Sequence, residues 1–282
     1  MISVIIPAHN EEAVLERGLL ALLSDASPGE LEVIVVCNGC SDRTASLARA
    51  FGRGVRVIET EVGSKSHALN LGDRAATGFP RFFVDADIVL PLASVRLVAR
   101  ALESERVLGA APKMRVELSD RRWSIRAYYA VWMRLPYVNH GMLGCGVYAV
   151  SRAGRARFGA FPSIIADDDF VRVQFSPEER ATVQDAWFVM TPPQKLSSLV
   201  DINLRRFAGD RELARVVPGE QLERSRSHHG SALLRLAAEP ALWPALAVYL
   251  YVKVATLALY TYRRLVGRHK AWARDDSSRR SA

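Results

Sequence analysis

Cysteine is scarce in this chain: Cys37, Cys40 and Cys145 are the only three in 282 residues. They are too few for a disulfide framework and suit a reducing compartment. Cys37-Asn-Gly-Cys40 does match Cys-x-x-Cys after an apolar run, so a thiol oxidoreductase is one rival reading, resting on a motif of low specificity. Glycine-rich phosphate loops are missing too. No Gly-x-Gly-x-x-Gly follows the first apolar run, and Gly63-Ser64-Lys65-Ser66 lacks the glycine directly before lysine that a Walker loop needs. Dinucleotide-binding and P-loop readings are demoted accordingly. No basic leader precedes Ile2, which sets the expectation of a catalytic part that stays in the cytoplasm.

What is present is an ordinary globular balance, 49% hydrophobic and 24% charged residues, in a chain long enough to bury a sizeable core. The net charge of +8 admits nucleic acid, anionic lipid or phosphorylated substrates as partners. Placement narrows the choice. Arginines crowd the part after residue 200 (Arg205, Arg206, Arg211, Arg215, Arg224, Arg226, Arg235, Arg263, Arg264, Arg268, Arg274), beside the most apolar stretch. Basic residues beside an apolar stretch look more like a membrane contact than a nucleic-acid groove, where interleaved aromatics are expected. The expected partner is therefore an anionic membrane surface and no nucleic acid.

The first 90 residues repeat a strand, a polar loop and a helix. Apolar runs at 2–6, 31–37, 55–58 and 81–90 read as buried strands. Asn10 reads as the cap of a helix carrying Val14, Leu15, Leu19, Leu20 and Leu23, and helices are expected at 44–51 and up to Ala75. This alternation predicts a parallel sheet covered on both faces, with ligands outside the carboxyl ends of its strands. Those ends hold Pro7-Ala8-His9-Asn10-Glu11, Asn38-Gly39-Cys40-Ser41-Asp42, Gly63-Ser64-Lys65 and Asp85-Ala86-Asp87. On a strand, Asp85 and Asp87 share a face with Cα atoms about 6–7 Å apart. Alone, such a pair is more often two solvated aspartates at a turn. Four polar loops converging on one edge favour a hard divalent cation, Mg²⁺ or Mn²⁺.

These motifs, with Lys65 followed by Ala68-Leu69-Asn70-x-Gly72, come in the order and spacing of the family 2 (GT-A) glycosyltransferases. The chain resembles that family over about its first 90 residues, and more loosely to about residue 210. The resemblance implies a GT-A-type mostly parallel sheet flanked by helices, a nucleotide-diphosphate sugar as donor and a divalent metal (Mn or Mg) as cofactor. It implies nucleotide binding by Pro7, Ala8, Asn10, Glu11, Asn38, Lys65 and Asp85. Asp87 would hold the metal, and Asp85 the ribose or a metal-bound water. Many members carry aspartate where this chain has Asn38; an amide there can still pair with a base edge.

The second half must supply the acceptor side. The aromatic-rich helix expected at 123–135 (Trp123, Ile125, Tyr128, Tyr129, Trp132) reads as packed on the sheet rather than as a sugar platform. A glycine-rich loop, 141–151, feeds a strand; in the resembled family this region, with Gly146, lies beside donor sugar and acceptor. His140 before it reads as structural or binding. Asp167-Asp168-Asp169 follows the apolar lead-in Ile164-Ile165-Ala166. Aspartates here suit a helix N-terminus. The resemblance adds a role: the family places an acidic pair, an apolar residue and an arginine at this point, and its second acid is the base of an inverting transfer. That acid aligns with Asp168, with Asp167 and Asp169 in reserve for a one-residue shift. A helix at 196–213 carries Arg205 and Arg206 where the family has a basic motif that contacts diphosphate; a solvated basic face is equally open.

Residues 241–262 are long enough to span a bilayer, but Lys253 sits in the middle, where insertion costs about 2.5–3.5 kcal/mol. Tyr249, Lys253, Thr256, Tyr260 and Arg264 fall on one helical stripe, leaving a wide apolar remainder. That is the pattern of a helix lying in the membrane interface, with packing on the protein's own domain as the alternative. The division expected is a catalytic domain at 1–220, a linker at 221–240, and an apolar helix with a basic tail at 241–282. The function expected is inverting transfer of a sugar to a hydroxyl acceptor, a lipid-linked or envelope glycan, at the inner face of the cell membrane. The rivals are a sugar-phosphate nucleotidyltransferase and a non-catalytic nucleotide-sugar or membrane-binding adaptor.

Overall fold

A computed structural model describes residues 1–104, 106–139, 141–142, 145–225 and 230–266. His140, Leu143 and Gly144 of the glycine-rich loop that follows it, Arg226, and the basic residues Arg268, Lys270 and Arg274 lie outside the described residues. The sheet half runs β1 (Ile2–Ala8), α1 (Leu15–Leu23), β2 (Leu31–Asn38), α2 (Thr44–Ala50), β3 (Val55–Thr60), α3 (Lys65–Ala75), β4 (Arg81–Val84) and α4 (Leu92–Ala101). It continues through β5 (Gly109–Val116), α5 (Trp123–Trp132), α6 (Pro136–Asn139), β6 (Val147–Val150), α7 (Arg152–Arg155), α8 (Asp167–Arg172) and β7 (Arg180–Met190). Helices follow: α9 (Leu196–Val216), α10 (Gly219–Ser225), α11 (Gly230–Ala237) and α12 (Trp243–Leu265).

Seven strands form one sheet in the order β3-β2-β1-β4-β6-β5-β7. It is parallel except that β6 runs antiparallel to β4 and β5. Successive side chains of a strand point to opposite faces, and here both faces are apolar. Val4, Ile6, Val33, Val35, Phe82 and Val84 join one cluster with α1, α4 and α5, while Ile5, Ile34, Val36 and Phe83 join a second under α3. This explains why the strands read as continuous apolar runs. β1 has β2 on one side and β4 on the other, so the crevice at their carboxyl ends is a switch point where such sheets bind ligands.

Three local expectations are corrected. Asn10 does not cap a helix: α1 begins at Leu15, and Asn10 sits at φ 54°. Its side-chain oxygen accepts from the backbone N–H groups of Ser41 (2.7 Å) and Asp42 (3.3 Å), fastening the loop after β1 to the loop after β2. Asp85 and Asp87 are not on a strand face: β4 stops at Val84, and a turn closed by Ile88 N–H on Asp85 O (3.1 Å) carries them. Gly18 lets α1 reach that turn, since a Cβ there would lie 2.8 Å from Ile88 O.

The third correction concerns the tail. The polar stripe of α12 faces the protein as far as Tyr260, and Arg264 at its end is exposed. Tyr249 stacks on Tyr128 with centroids 5.3 Å apart, Thr256 is buried, and Tyr260 meets the edge of Phe207 at 4.8 Å. Helix α12 thus lies on α5 and α9, and Leu246, Tyr249 and Val252 belong to the main core cluster. The apolar remainder points outward, with Leu250, Val254 and Leu257 each more than half exposed. Among the described residues this is the one stretch, Pro240–Leu265, long and apolar enough to cross a membrane. The stretch expected as a linker holds α11 and part of α10.

Candidate active site

At the carboxyl ends of the parallel strands lies a cleft of about 330 Å³, within the size range of small-molecule sites. One wall comes from the loops at the strand ends: His9 and Glu11 after β1, Lys65 at the start of α3, and Asp85 and Asp87 after β4. The other comes from α5, α8 and α9, with Tyr128, Tyr129, Trp132 and Asn203 among its side chains.

Each acidic group is held differently. Ser64 caps α3, accepting from His67 N–H at 3.3 Å, and so sets Lys65 at the first helical position. From there Lys65 Nζ reaches Asp85 Oδ1 at 2.7 Å and Asp167 Oδ1 at 3.0 Å, tying α3, the β4 turn and α8 together. Burial works against that ammonium, but Asp167, Asp85 and Asp168 outweigh it and raise its pKa above the ordinary lysine value. The three aspartates open α8, where the helix dipole favours them, yet none caps it: the cap position is Ala166. Asp167 is paired with Lys65 and accepts from Tyr148 OH at 3.5 Å. Asp169 is paired with Arg172 at 2.7 Å. Asp168 has no ion pair among the described residues. Burial first, then the Asp169 and Asp167 carboxylates, push its pKa well above the usual carboxylate range, against Lys65 and Arg206.

The donor set beside Asp85 fits a hard cation. Gly146 sits at φ +88°, and a Cβ there would come within 3.2 Å of Asp85 Oδ2 and 3.1 Å of Ile88 Cγ1. Only glycine leaves that carboxylate oxygen uncovered, while its main-chain oxygen accepts from Asp85 N–H at 2.7 Å. No cluster of three or more His, Cys, Asp or Glu set to hold a metal occurs among the described residues. Two carboxylates are the share a Mg²⁺ or Mn²⁺ site takes when waters and substrate phosphates complete it.

The cleft therefore gathers Glu11, Lys65, Asp85, Asp87, Gly146, the run 167–169, and Arg205 with Arg206. Four other sequence candidates lie outside its lining. Pro7 and Ala8 are buried in β1, and Asn10 joins the two loops described above. Asn38 is buried, its amide donating to Ala8 O at 2.9 Å, so that amide is turned to the backbone rather than to a base edge. Cys37 is 2% exposed and its thiol is pushed up to about 12, by burial and then by Cys40. A thiol so protonated is no nucleophile, which sets aside the oxidoreductase rival.

A family model described as Glycosyl transferase family 2 matches residues 3–154, more than half of the chain. The chain belongs to glycosyl transferase family 2. Among similar proteins, an undecaprenyl-phosphate 4-deoxy-4-formamido-L-arabinose transferase of Pseudomonas aeruginosa is 30% identical over 163 residues, 54% of this chain and 48% of that protein. A dolichyl-phosphate β-glucosyltransferase of Drosophila melanogaster is 39% identical over 99 residues, 30% of each chain. The match thus spans under half the length of these relatives. A mannosyltransferase of Pyrobaculum calidifontis, solved with GDP-Man and Mn²⁺, gives a TM-score of 0.61 at 22% identity, covering 95% of this chain and 83% of that one. Glucosyl-3-phosphoglycerate synthase of Mycobacterium tuberculosis, solved with Mn²⁺, UDP-glucose and phosphoglyceric acid, gives 0.56 at 23% identity, covering 78% and 81%. At these identities the likeness is one of fold, and the GT-A architecture expected from the motifs is the one found.

Sequence reasoning passed over part of this glycosyltransferase's cleft. Tyr128, Tyr129 and Trp132 pack in the core, as expected, and line the cleft as well. His9 lines it too, its Nδ1 on Asn38 O at 2.5 Å, and stood unremarked inside a motif that was noticed. The signal for the aromatics was their density on one short helix; the sheet-packing reading absorbed it.

Proposed function

We propose that this family 2 glycosyltransferase moves a sugar, with inversion, from a nucleotide-diphosphate donor to a hydroxyl of a lipid-linked or envelope glycan. The observation that carries the reading is a half-buried Asp168, without an ion pair among the described residues, in the same cleft as the Asp85–Asp87 turn. Glu11, Lys65 and Asp85 bind the donor nucleotide, Lys65 by its charge and Asp85 at the ribose. Asp87, with Asp85, would hold a divalent cation, which when bound supplies positive charge to the departing diphosphate. Arg205 and Arg206 add fixed cations on the acceptor and diphosphate side. Asp168 takes the proton of the attacking hydroxyl. The tyrosine and tryptophan side chains of α5 exclude water around the acceptor. Hydrolysis and thermal-shift measurements across UDP-, GDP- and dTDP-sugars, with and without Mn²⁺, test this. One donor is expected to be hydrolysed and to raise the melting temperature only with the cation; a flat response to every donor sinks the reading.

We further propose that it works at a membrane surface, on the cytoplasmic side, with the outward face of α12 as its contact. Support comes from Leu250, Val254 and Leu257 in the open, with Arg263 and Arg264 in the last turn of the same helix. Each basic residue near an anionic surface contributes about 1 kcal/mol. The chain is expected to pellet with anionic vesicles, to bind neutral ones less, and to come off in high salt or alkaline carbonate. Leu250→Glu with Val254→Glu is expected to abolish pelleting while leaving nucleotide affinity as it was. Retention through carbonate would mean a spanning helix instead, and no pelleting at all would remove the membrane from the proposal.

A further inference from the structure

Helix α12 carries a lysine into the protein, and its contact reaches the wall of the cleft. Lys253 Nζ donates to Asn203 Oδ1 at 2.8 Å. The same oxygen accepts from Tyr128 OH at 3.0 Å, and the Asn203 amide nitrogen donates to Leu199 O at 2.9 Å. Asn203 is buried, and three bonds fix both ends of its amide. Tyr128 and Asn203 line the cleft; Lys253 does not. Arg206 follows Asn203 by three residues on α9, so the two lie on neighbouring positions of one helix face.

Packing alone does not call for a lysine here. Burial, and then the nearby Arg206 cation, hold its pKa down to about 8, below the ordinary 10.5, with Asp210 opposing. A side chain whose charge is disfavoured by its site is a poor contributor to stability, and an apolar replacement of like size is often neutral or better. What the ammonium supplies is a short hydrogen bond to an amide of the cleft wall. The neighbouring contact, Tyr249 stacked on Tyr128, grips the same wall from one turn away.

We propose that Lys253 is a positioning residue for the acceptor half of the cleft, acting through Asn203. It fixes the Tyr128–Asn203 wall and the turn of α9 that carries Arg206, which makes α12 a part of the acceptor site. The ligand served is an amphiphile, because the same helix turns Leu250, Val254 and Leu257 outward. This rests on the glycosyltransferase reading above and adds a residue to it.

The test uses the full chain with Mn²⁺ and a bound nucleotide diphosphate, UDP and GDP in separate arms. Two probes are titrated by calorimetry below micelle formation: farnesyl phosphate, an anionic amphiphile, and octyl β-glucoside, a neutral one. Lys253→Met is expected to weaken whichever probe binds by about tenfold, the size of a lost charged hydrogen bond at the low end. Nucleotide affinity is expected to stay within about twofold, and the melting temperature to stay at or above that of wild type, since replacing a half-buried cation by an apolar group of like size is often neutral or stabilising. Lys253→Arg is expected to restore probe binding. In an Asn203→Ala background, Lys253→Met is expected to add no further loss, since the two act as one unit. Lys253→Gln serves as the second variant if the methionine protein does not fold. Unchanged probe affinity in Lys253→Met, additive losses in the double variant, an equal loss of nucleotide and probe, or no binding of either probe by wild type would each overturn the proposal. Failure of wild type to bind the nucleotide at all would instead bring down the glycosyltransferase reading.

Discussion

Asp168→Asn is expected to bind donor normally and to transfer sugar about 10²–10⁴-fold more slowly, the usual loss when a general base is removed. The substitution keeps shape and hydrogen-bonding reach but cannot accept a proton. Among the three adjacent acids, only this one is without an ion pair among the described residues, because Lys65 takes Asp167 and Arg172 takes Asp169. Burial and the two flanking carboxylates raise its pKa, and a base works best when its pKa lies near the working pH. Transfer should therefore climb with pH along an acid limb placed above the ordinary carboxylate range, since the group must lose its proton before it can act. The limb belongs to the acidic run as a coupled set rather than to one residue. Asp167→Asn should act differently: it frees Lys65 from α8 and weakens donor binding. Near-normal turnover in Asp168→Asn together with loss in Asp169→Asn would move the base by one residue. Activity in all three variants would remove the acidic run from the chemistry.

The sheet half was legible because its physics is local. β1, β2 and β4 are apolar on both faces, and a strand buried on both sides shows itself as a continuous run. The polar loops at their ends stood out against those runs. Finer detail was hidden for particular reasons. Asn10 looked like a helix cap, but its left-handed backbone and its bonds to Ser41 and Asp42 depend on a loop 30 residues away. Asp85 and Asp87 alternate with buried Ala86 as strand residues do, so a turn at that point leaves the same imprint. Asn38 had the right position for a base contact, and only the fold turns its amide to Ala8 O.

The side of the cleft built by α5 and α9 was harder because one stripe of side chains there answers to two demands. Tyr128 packs on Tyr249, bonds Asn203 and lines the cleft. Periodicity reports burial, and it is silent on what the buried edge of a side chain meets. The same limit explains α12. A polar stripe on an apolar helix reads as the side facing water, whereas here the stripe finds its partners in α5 and α9 and leaves the apolar side outside. Pattern gave the helix its amphipathicity and could not give it its direction.

Nucleotide-diphosphate binding is expected to depend on a divalent cation, and Asp87→Ala is expected to abolish that dependence. A diphosphate brought beside Asp85 and Asp87 meets two carboxylates of its own sign. Lys65 offsets part of that charge but is already shared between Asp85 and Asp167. Neutralising the remainder is worth about 3 kcal/mol, or about a hundredfold in affinity. Calorimetry of UDP and GDP with Mn²⁺ and with EDTA reads this without any turnover. Asp87 is the cleaner residue to remove, because Asp85→Ala also releases Lys65 and disturbs α8, which mixes two effects. In Asp87→Ala the two affinities should converge, on a value nearer that of wild type in EDTA, since the variant keeps Asp85 and its Lys65 partner. Equal affinities in wild type would mean that Lys65 and the arginines of α9 hold the diphosphate unaided, and the Asp85–Asp87 turn would then need another reason to be left open by Gly146.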